Sequence, residues 1–539
     1  MNTKKLLCLV LALIMTLALL AGCGSKPSEA PQGSDAEAAA PSDHIFTIAT
    51  SADVGDMNPH QGAAAIYAQN YVYESLVVYA DGGIQPGLAE SWEISEDGLT
   101  YTFHLRDAKF SDGSDFNAEN VVKNFDAIFE NFDSFSWMGV CSKMDKYYAV
   151  DDSTFEFVVK EPYYPILQEL AAVRPFRMLG DAGFQDDGST INGIKASIGT
   201  GPWMMTDYVE NDHATFERNP YYWGEAPKLD SFQIKYITDG QTAVSALEAG
   251  QVDMIYDMYE STLMSVDTYN ALIAEGYASA ISDPVLTRVI TLNAGVAPLD
   301  DANVRKAIIL GLDRQTMVDS TFGGLEELAQ SYYWPGTIYC DVGLKGYEYN
   351  VEEAGKLLDE AGWTLADGAE YRTKNGEELA LTYYYDASDV VQTALAQVCQ
   401  SDLKKIGVHM EIVGEEYNTN INRIYSGDFQ VGYTVSWGDP YDPHSTISAM
   451  VTEGGSAEYF ALSACDGFDA FAENVNSIFG EVDENVIQSK YDSAFHFIED
   501  QYCLVPISYQ TNRAVAQPGV TGIEFGYSNV MPLNTIAQG

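Results

Sequence analysis

The chain has 539 residues, 46% hydrophobic and 12% aromatic, enough to bury the cores of two or more domains. Its 79 acidic and 28 basic residues leave a formal net charge of −51. That balance excludes nucleic acid and an anionic membrane surface as direct partners, because both need Lys/Arg patches; it predicts a well-solvated surface, with attraction of cationic ligands as a secondary consequence.

At the amino terminus, Lys4 and Lys5 precede a nearly all-apolar run over residues 6–20, followed by Leu20-Ala21-Gly22-Cys23. A charged start, a short apolar core and small residues before a cut site predict a secretory signal over residues 1–22. The run is too short for a comfortable transmembrane helix. Cys23 directly after Ala-Gly resembles the bacterial lipobox, in which the signal is cut before the cysteine and its thiol carries a lipid. Residues 24–43 are rich in Ser, Pro, Ala, Gly, Gln and acid, which predicts a flexible tether behind the lipidated Cys23.

Seven cysteines are present: Cys8, Cys23, Cys141, Cys340, Cys399, Cys465 and Cys503. No C-x-x-C spacing occurs, so neither a zinc knuckle nor a thioredoxin-type site is indicated. Beyond Cys23 the number is odd. A disulfide is compatible with it, at least one thiol stays unpaired within the chain, and most of these residues read as small buried hydrophobes.

In chain order, Asp97-Gly98 marks a hairpin turn, and Tyr101, Phe103 and Leu105 alternate as in a strand. Asn117 predicts a helix N-cap, followed by Ala118, Val121, Val122, Phe125, Ile128 and Phe129 at helical spacing. Phe155, Phe157 and Val159 mark another strand. A domain boundary is expected near Ser282-Asp283-Pro284, ahead of a strand over 286–293. Val304, Ala307, Ile308, Gly311 and Leu312 share a helical face. So do Val351, Ala354, Leu357, Leu358 and Ala361, with Gly362 as C-cap. Residues 390–406 predict a long helix ending at Gly407, and 408–413 a strand. The alternation predicts a mixed α/β architecture.

Motifs of covalent chemistry are missing. There is no Walker or Rossmann glycine spacing, no G-x-S-x-G elbow and no H-x-x-x-H pair. No catalytic residue and no catalytic cofactor is predicted, and the chain does not read as an enzyme.

Several longer strings are informative together. They are Gly87-Leu-Ala-Glu-Ser-Trp92, Phe110-Ser-Asp-Gly-Ser-Asp-Phe116, Gly199-Thr-Gly-Pro-Trp203, Arg218-Asn-Pro-Tyr-Tyr-Trp-Gly224, Ala246-Leu-Glu-Ala-Gly-Gln-Val-Asp253 and Val304-Arg-Lys-Ala-Ile308. Over about 46–515 the chain resembles the family 5 solute-binding proteins of peptide and nickel ABC importers. The resemblance implies a two-lobed, Venus-flytrap α/β fold, type II-like, that closes on its ligand about a hinge. It implies a first lobe over 44–282 with an extra subdomain over about 91–198. A second lobe would cover 283–504, and residues 505–539 would return to the first. It also implies a monomer held outside the cytoplasm by the lipid on Cys23, with ABC permease subunits as partners.

Within the family, Tyr163-Tyr-Pro-Ile-Leu-Gln-Glu-Leu170 with Arg174-Pro-Phe-Arg177, residues 192–203, and Trp437-Gly-Asp-Pro-Tyr-Asp-Pro-His444 resemble the nickel-binding branch. There, metal arrives held by a small chelator. An arginine at the position of Arg174 receives chelator carboxylates, and aromatics at the positions of Trp137, Trp437 and Tyr441 wall the pocket. A guanidinium fork suits a carboxylate, and a dry aromatic wall suits a flat chelate or a cation. Each residue also has a plainer reading: Arg174 as an ion-pair partner, the three aromatics as core, and His444 as a turn residue rather than a metal ligand.

Two departures from that branch matter. Its metal-binding histidine falls here near Gly455, in Thr452-Glu-Gly-Gly-Ser456, and a second arginine falls at Ser134. Asp439 is the other departure, since peptide-binding members have an aspartate in the equivalent loop for the peptide's amino terminus. Two ligands follow as expectations: a chelated metal, nickel with histidine or a metallophore, or a di- or oligopeptide. A receptor-docking ligand sensor and an extracellular hydrolase are the readings from other classes.

Overall fold

The computed structural model describes residues 44–61, 66–258, 263–527 and 530–539. The expected signal, Cys23 and the tether lie outside the described residues. Among the described residues no helix is long and apolar enough to cross a membrane.

An eleven-stranded mixed sheet organises the chain. Two long antiparallel strands, Ala278–Leu292 and Leu504–Ala516, run through its middle. On one side of them the order is Met254–Asp257, Phe46–Thr50, Ser231–Tyr236, His213–Arg218 and Trp203–Val209. On the other side it is Val431–Val435, Ala380–Asp386 and His409–Glu415. The long pair is buried along most of its length, which is why Val285 to Leu292 and Leu504 to Gln510 read as continuous apolar and small-polar runs rather than alternating ones.

Each half of the sheet has its own core. In the first half, Trp203 meets Phe232 edge-on at 4.8 Å, and Phe216 stacks on Phe232 at 4.7 Å. Each such fully buried ring contributes about 1.5–3 kcal/mol. Ala514, Ala516, Met531, Leu533 and Ile536 join this core beside Phe46 and Ile48, so the carboxyl-terminal end packs with the first strand. In the second half, Leu381, Tyr383, Leu395, Leu403, Met410, Val505 and Ile507 pack together. The strand Leu504–Ala516 therefore serves both cores and crosses between them in mid-strand.

A third body is the four-stranded antiparallel sheet Ala89–Ile94, Thr100–Leu105, Thr154–Val159 and Met144–Asp151. Helix Ala118–Glu130 covers it through Val121, Phe125 and Ile128. Its N-cap Asn117 and residue Asn120 bond reciprocally, side chain to backbone amide, so the expected cap is a full capping box.

The strand expected from residue 286 begins at Ala278 instead. The expected boundary at Ser282-Asp283-Pro284 falls inside it, where the pairing register shifts at Ile281/Pro284 and Pro284/Leu286. Pro284 lacks an amide for the ladder, and the bulges absorb it without ending the strand. The helices Val351–Glu360 and Val390–Lys405 stop where expected, with Gly362 and Gly407 just beyond their caps at φ +86° and +77°.

Candidate functional site

The sheet strand Val431–Val435 delivers the chain into a loop over residues 436–443, held from both sides. Thr287 of the long strand donates its amide to Ser436 Oγ at 3.0 Å. Gly438 has φ +74°, and a Cβ there would lie 2.0 Å from the Val285 carbonyl oxygen, so any side chain would push the loop off the strand. Asp442 accepts from the amides of Trp437 and Gly438 at 3.3 and 2.8 Å and from the Thr446 hydroxyl. The Asp439–Pro440, Asp442–Pro443 and Arg174–Pro175 peptides are cis.

This loop presents Trp437 and Tyr441 to Trp137, which belongs to the four-stranded body and is 49% exposed. The Trp137 ring meets Trp437 edge-on at 6.3 Å and Tyr441 at 6.0 Å. Tyr441 also packs on the core of that body. Its phenol is pushed up to about 12, burial being the main cause, with the Arg174 charge foremost among the opposing effects. The structure thus brings Trp137, Trp437, Tyr441 and Arg174 into one neighbourhood, although 300 residues of chain separate Trp137 from Trp437. A cavity of about 440 Å³ opens beside Trp137, bordered by Lys143, Glu161, Tyr163 and Ser448; of the expected site residues only Trp137 lines it.

Asp439 faces the interior. Its carboxyl is pushed up to about 7 by burial and by the negative charge of Asp442, against the stabilising effect of Thr337 and Tyr79. Asp439 Oδ1 and Tyr79 Oη are nonetheless both shielded and without a hydrogen-bond partner among the described residues. The two groups influence each other through space rather than through a formed hydrogen bond.

His444 does not join the aromatic group at the surface. It opens the helix His444–Val451, is 1% exposed, and has both ring nitrogens unbonded among the described residues. Burial holds it near 3, so it is neutral at physiological pH. Its Nε2 lies 3.8 Å from Glu169 Oε1, and with a neutral ring this contact is no ion pair. Glu169 itself accepts from the amides of Gly139 and Val140 at 3.1 and 2.6 Å and from Tyr163 Oη at 2.6 Å, two residues from Trp137. Among the described residues no group of three or more His, Cys, Asp or Glu is placed to hold a metal.

Sequence reasoning missed the supports. Arg177 donates to Asn70 Oδ1 at 2.6 Å and to Tyr527 Oη at 3.2 Å, and Tyr527 donates to the Ala171 carbonyl at 2.9 Å. These bonds clamp the segment carrying Arg174 from the far carboxyl-terminal region. Tyr527 and Tyr79 meet edge-on at 5.9 Å. No local pattern marks Tyr79 or Tyr527, since each meets partners remote in sequence; Glu169 lies in the quoted string 163–170, but its bonds to Gly139 and Val140 are not written there. His60 is likewise a packing group: its ring contacts Thr190, Asn124 and the Arg177 carbonyl, and burial lowers it to about 4.

Comparison with known proteins places this geometry. The description "Bacterial extracellular solute-binding proteins, family 5 Middle" matches residues 83–458. The nickel-binding periplasmic protein of Escherichia coli K12 is 34% identical over 492 residues, covering 90% of this chain and 93% of its own. The structure of NikA from Brucella suis, solved with Fe(III)-EDTA, superposes with a TM-score of 0.88 at 35% identity, covering 92% of this chain and all of that one. The oligopeptide-binding protein OppA of Salmonella typhimurium is 26% identical over 519 residues, 90% of each chain. The fold is accordingly that of a two-lobed binding protein, and the chain belongs to family 5 of the bacterial extracellular solute-binding proteins.

Proposed function

We propose that this protein is the binding component of an ABC importer and captures a metal, nickel foremost, already wrapped in a small carboxylate-bearing chelator. The observation that carries this reading is the convergence of Trp137, Trp437 and Tyr441 beside the Arg174 charge. Arg174 receives a carboxylate of the chelator through its planar fork. The rings exclude water, which strengthens that contact, and offer faces to a flat complex or a cation. The metal is cargo, and its donors come from the chelator. His444, sealed against Glu169, props the loop over 436–443 rather than ligating. The relatives named for nickel binding and solved with Fe(III)-EDTA support this reading.

Capture, lobe closure and hand-over to permease subunits need no covalent chemistry, so this protein acts as a carrier and not as an enzyme. It works as a monomer outside the cytoplasm, tethered through a lipid on Cys23. A second reading, di- or oligopeptide capture, is favoured by one observation: Asp439 offers a shielded, unbonded carboxylate oxygen that would receive a ligand ammonium group. The peptide-binding relative is consistent with it.

Native mass spectrometry separates the two. The protein would be sprayed with nickel alone, with nickel plus excess histidine, and with a dipeptide pool. An added mass equal to nickel plus chelator, absent with bare nickel, is the expected result. Added mass from dipeptides alone would overturn the metal reading and move the function to peptide capture.

A further inference from the structure

Five cysteines are present among the described residues, and all five are buried and unbridged. Cys465 and Cys503 stand apart from Cys141, Cys340 and Cys399, because their sulfurs lie 3.4 Å from each other. A disulfide needs about 2.05 Å, so the two sulfurs must draw closer still to bond. From this juxtaposition we infer that Cys465 and Cys503 form a disulfide-exchange site. Cys465 is the attacking thiolate and Cys503 the resolving thiol, and the bridge staples the second lobe at the root of the strand that links the two lobes.

The surroundings divide the two roles. Arg305 is buried, and its guanidinium is locked by donation to the carbonyls of Gln501 at 2.9 Å and Leu299 at 2.7 Å. The remaining Nη2 sits 3.7 Å from Cys465 Sγ. The hydrogen bond from Cys503, with the Arg305 charge beside it, holds the Cys465 thiol below its ordinary range, whereas burial pushes Cys503 well above its own. Cys465 is 8% exposed and Cys503 fully enclosed, so an oxidant from solution meets Cys465 first.

The exchange balances with a disulfide as oxidant, either oxidised glutathione or a protein disulfide. The Cys465 thiolate attacks one sulfur of the oxidant, forming a mixed disulfide and expelling one thiolate. The Cys503 thiol then gives up its proton, attacks Cys465 Sγ and expels the second thiolate. Two protein thiols are oxidised, the oxidant is reduced to two thiols, and the two protons pass to the departing thiolates. An extracytoplasmic protein meets such oxidants routinely.

The position gives the bridge its effect. It would close the loop over 465–503, which holds the helices Phe468–Ile478 and Glu484–Asp500. Cys503 immediately precedes the long strand Leu504–Ala516, and its carbonyl accepts from the Leu292 amide at 2.7 Å. The Ala294 amide donates to the Ala461 carbonyl on the helix leading to Cys465. Both long strands are therefore anchored beside the two sulfurs, and a bridge removes freedom from the unfolded chain around that anchor.

The test treats the full-length protein with oxidised glutathione at alkaline pH, then denatures, alkylates and digests it with trypsin without reduction. Lys490 lies between the two cysteines, so each falls on its own peptide, 424–490 and 491–513. The expected result is one cross-linked species joining these peptides, with Cys141, Cys340 and Cys399 alkylated. The oxidised protein should melt several degrees above the dithiothreitol-reduced one. In Cys503→Ser, glutathione should remain trapped on Cys465; in Cys465→Ser, residue 503 should carry none. Alkylation of Cys465 and Cys503 as complete as that of the other three would overturn the inference, as would a bridge to any other cysteine. None of these readouts involves ligand, so they stand or fall apart from metal or peptide capture.

Discussion

The four-stranded body and the loop over 436–443 treat polar groups in opposite ways. In the sheet, Tyr101, Phe103 and Leu105 point inward while Thr100, Thr102 and His104 point outward, and helix Ala118–Glu130 caps its own amino end. In the loop and the helix start after it, Asp439 and His444 carry shielded polar atoms with no hydrogen-bond partner among the described residues, and Asp442 is a buried carboxylate held by its neighbours. An unpaired buried polar group costs about 1–3 kcal/mol. The first region follows the local rules in its central strand and its helix cap and supplies stability. The second breaks several within a few residues, and it is also where the aromatic group and Arg174 converge.

Four substitutions probe that contrast, beginning with the largest effect. Phe157→Ala empties a fully buried position in the four-stranded sheet and should cost about 3–5 kcal/mol in denaturant unfolding. The affinity of the protein that remains folded should stay unchanged; a tenfold loss would show that the two regions are not separable. Arg174→Ala should do the reverse, weakening capture of a carboxylate chelate by about 2–4 kcal/mol in calorimetric titration. Its melting temperature should stay near that of the parent, and unchanged affinity would remove Arg174 from the site.

Asp439→Asn should show a smaller, pH-dependent effect. A carboxyl whose folded value is raised to about 7 binds more protons folded than unfolded between about pH 4 and 7. The stability it contributes is present below the unfolded value and lost as pH rises through the folded one. The asparagine variant should therefore match the parent at pH 4 and melt above it at pH 8. Where the ligand bears an ammonium group, parental affinity should rise with pH through about 7, and the variant should lose that slope. Asn117→Ala completes the series: loss of the capping box should cost about 1 kcal/mol of stability and nothing in affinity.

Legibility followed the same divide. The strand at 100–105, the Asn117 cap and the helix ends at Gly362 and Gly407 were readable because a turn, a cap or a period of two or 3.6 is written in adjacent residues. The long strand Ala278–Leu292 was misread at its start because Ser282-Asp283-Pro284 looks like a linker. Only its pairing with Leu504–Ala516, more than two hundred residues later, keeps it extended through the bulges. Arg174, Trp137, Trp437 and Tyr441 were chosen through family resemblance, and no spacing in the chain connects them. Their supports Tyr79 and Tyr527 carried no signal, because the contacts they make are with partners set by the fold.

The sequence by itself determined the mixed α/β class, the locations of several helices and strands, and the family, since these rest on local propensity and on ordered strings along the chain. Tertiary structure alone decided which aromatic side chains meet, which carboxyls are pushed toward neutrality and which two of five thiols touch. Those properties depend on burial and on distances between residues far apart in the chain, and the fold sets both.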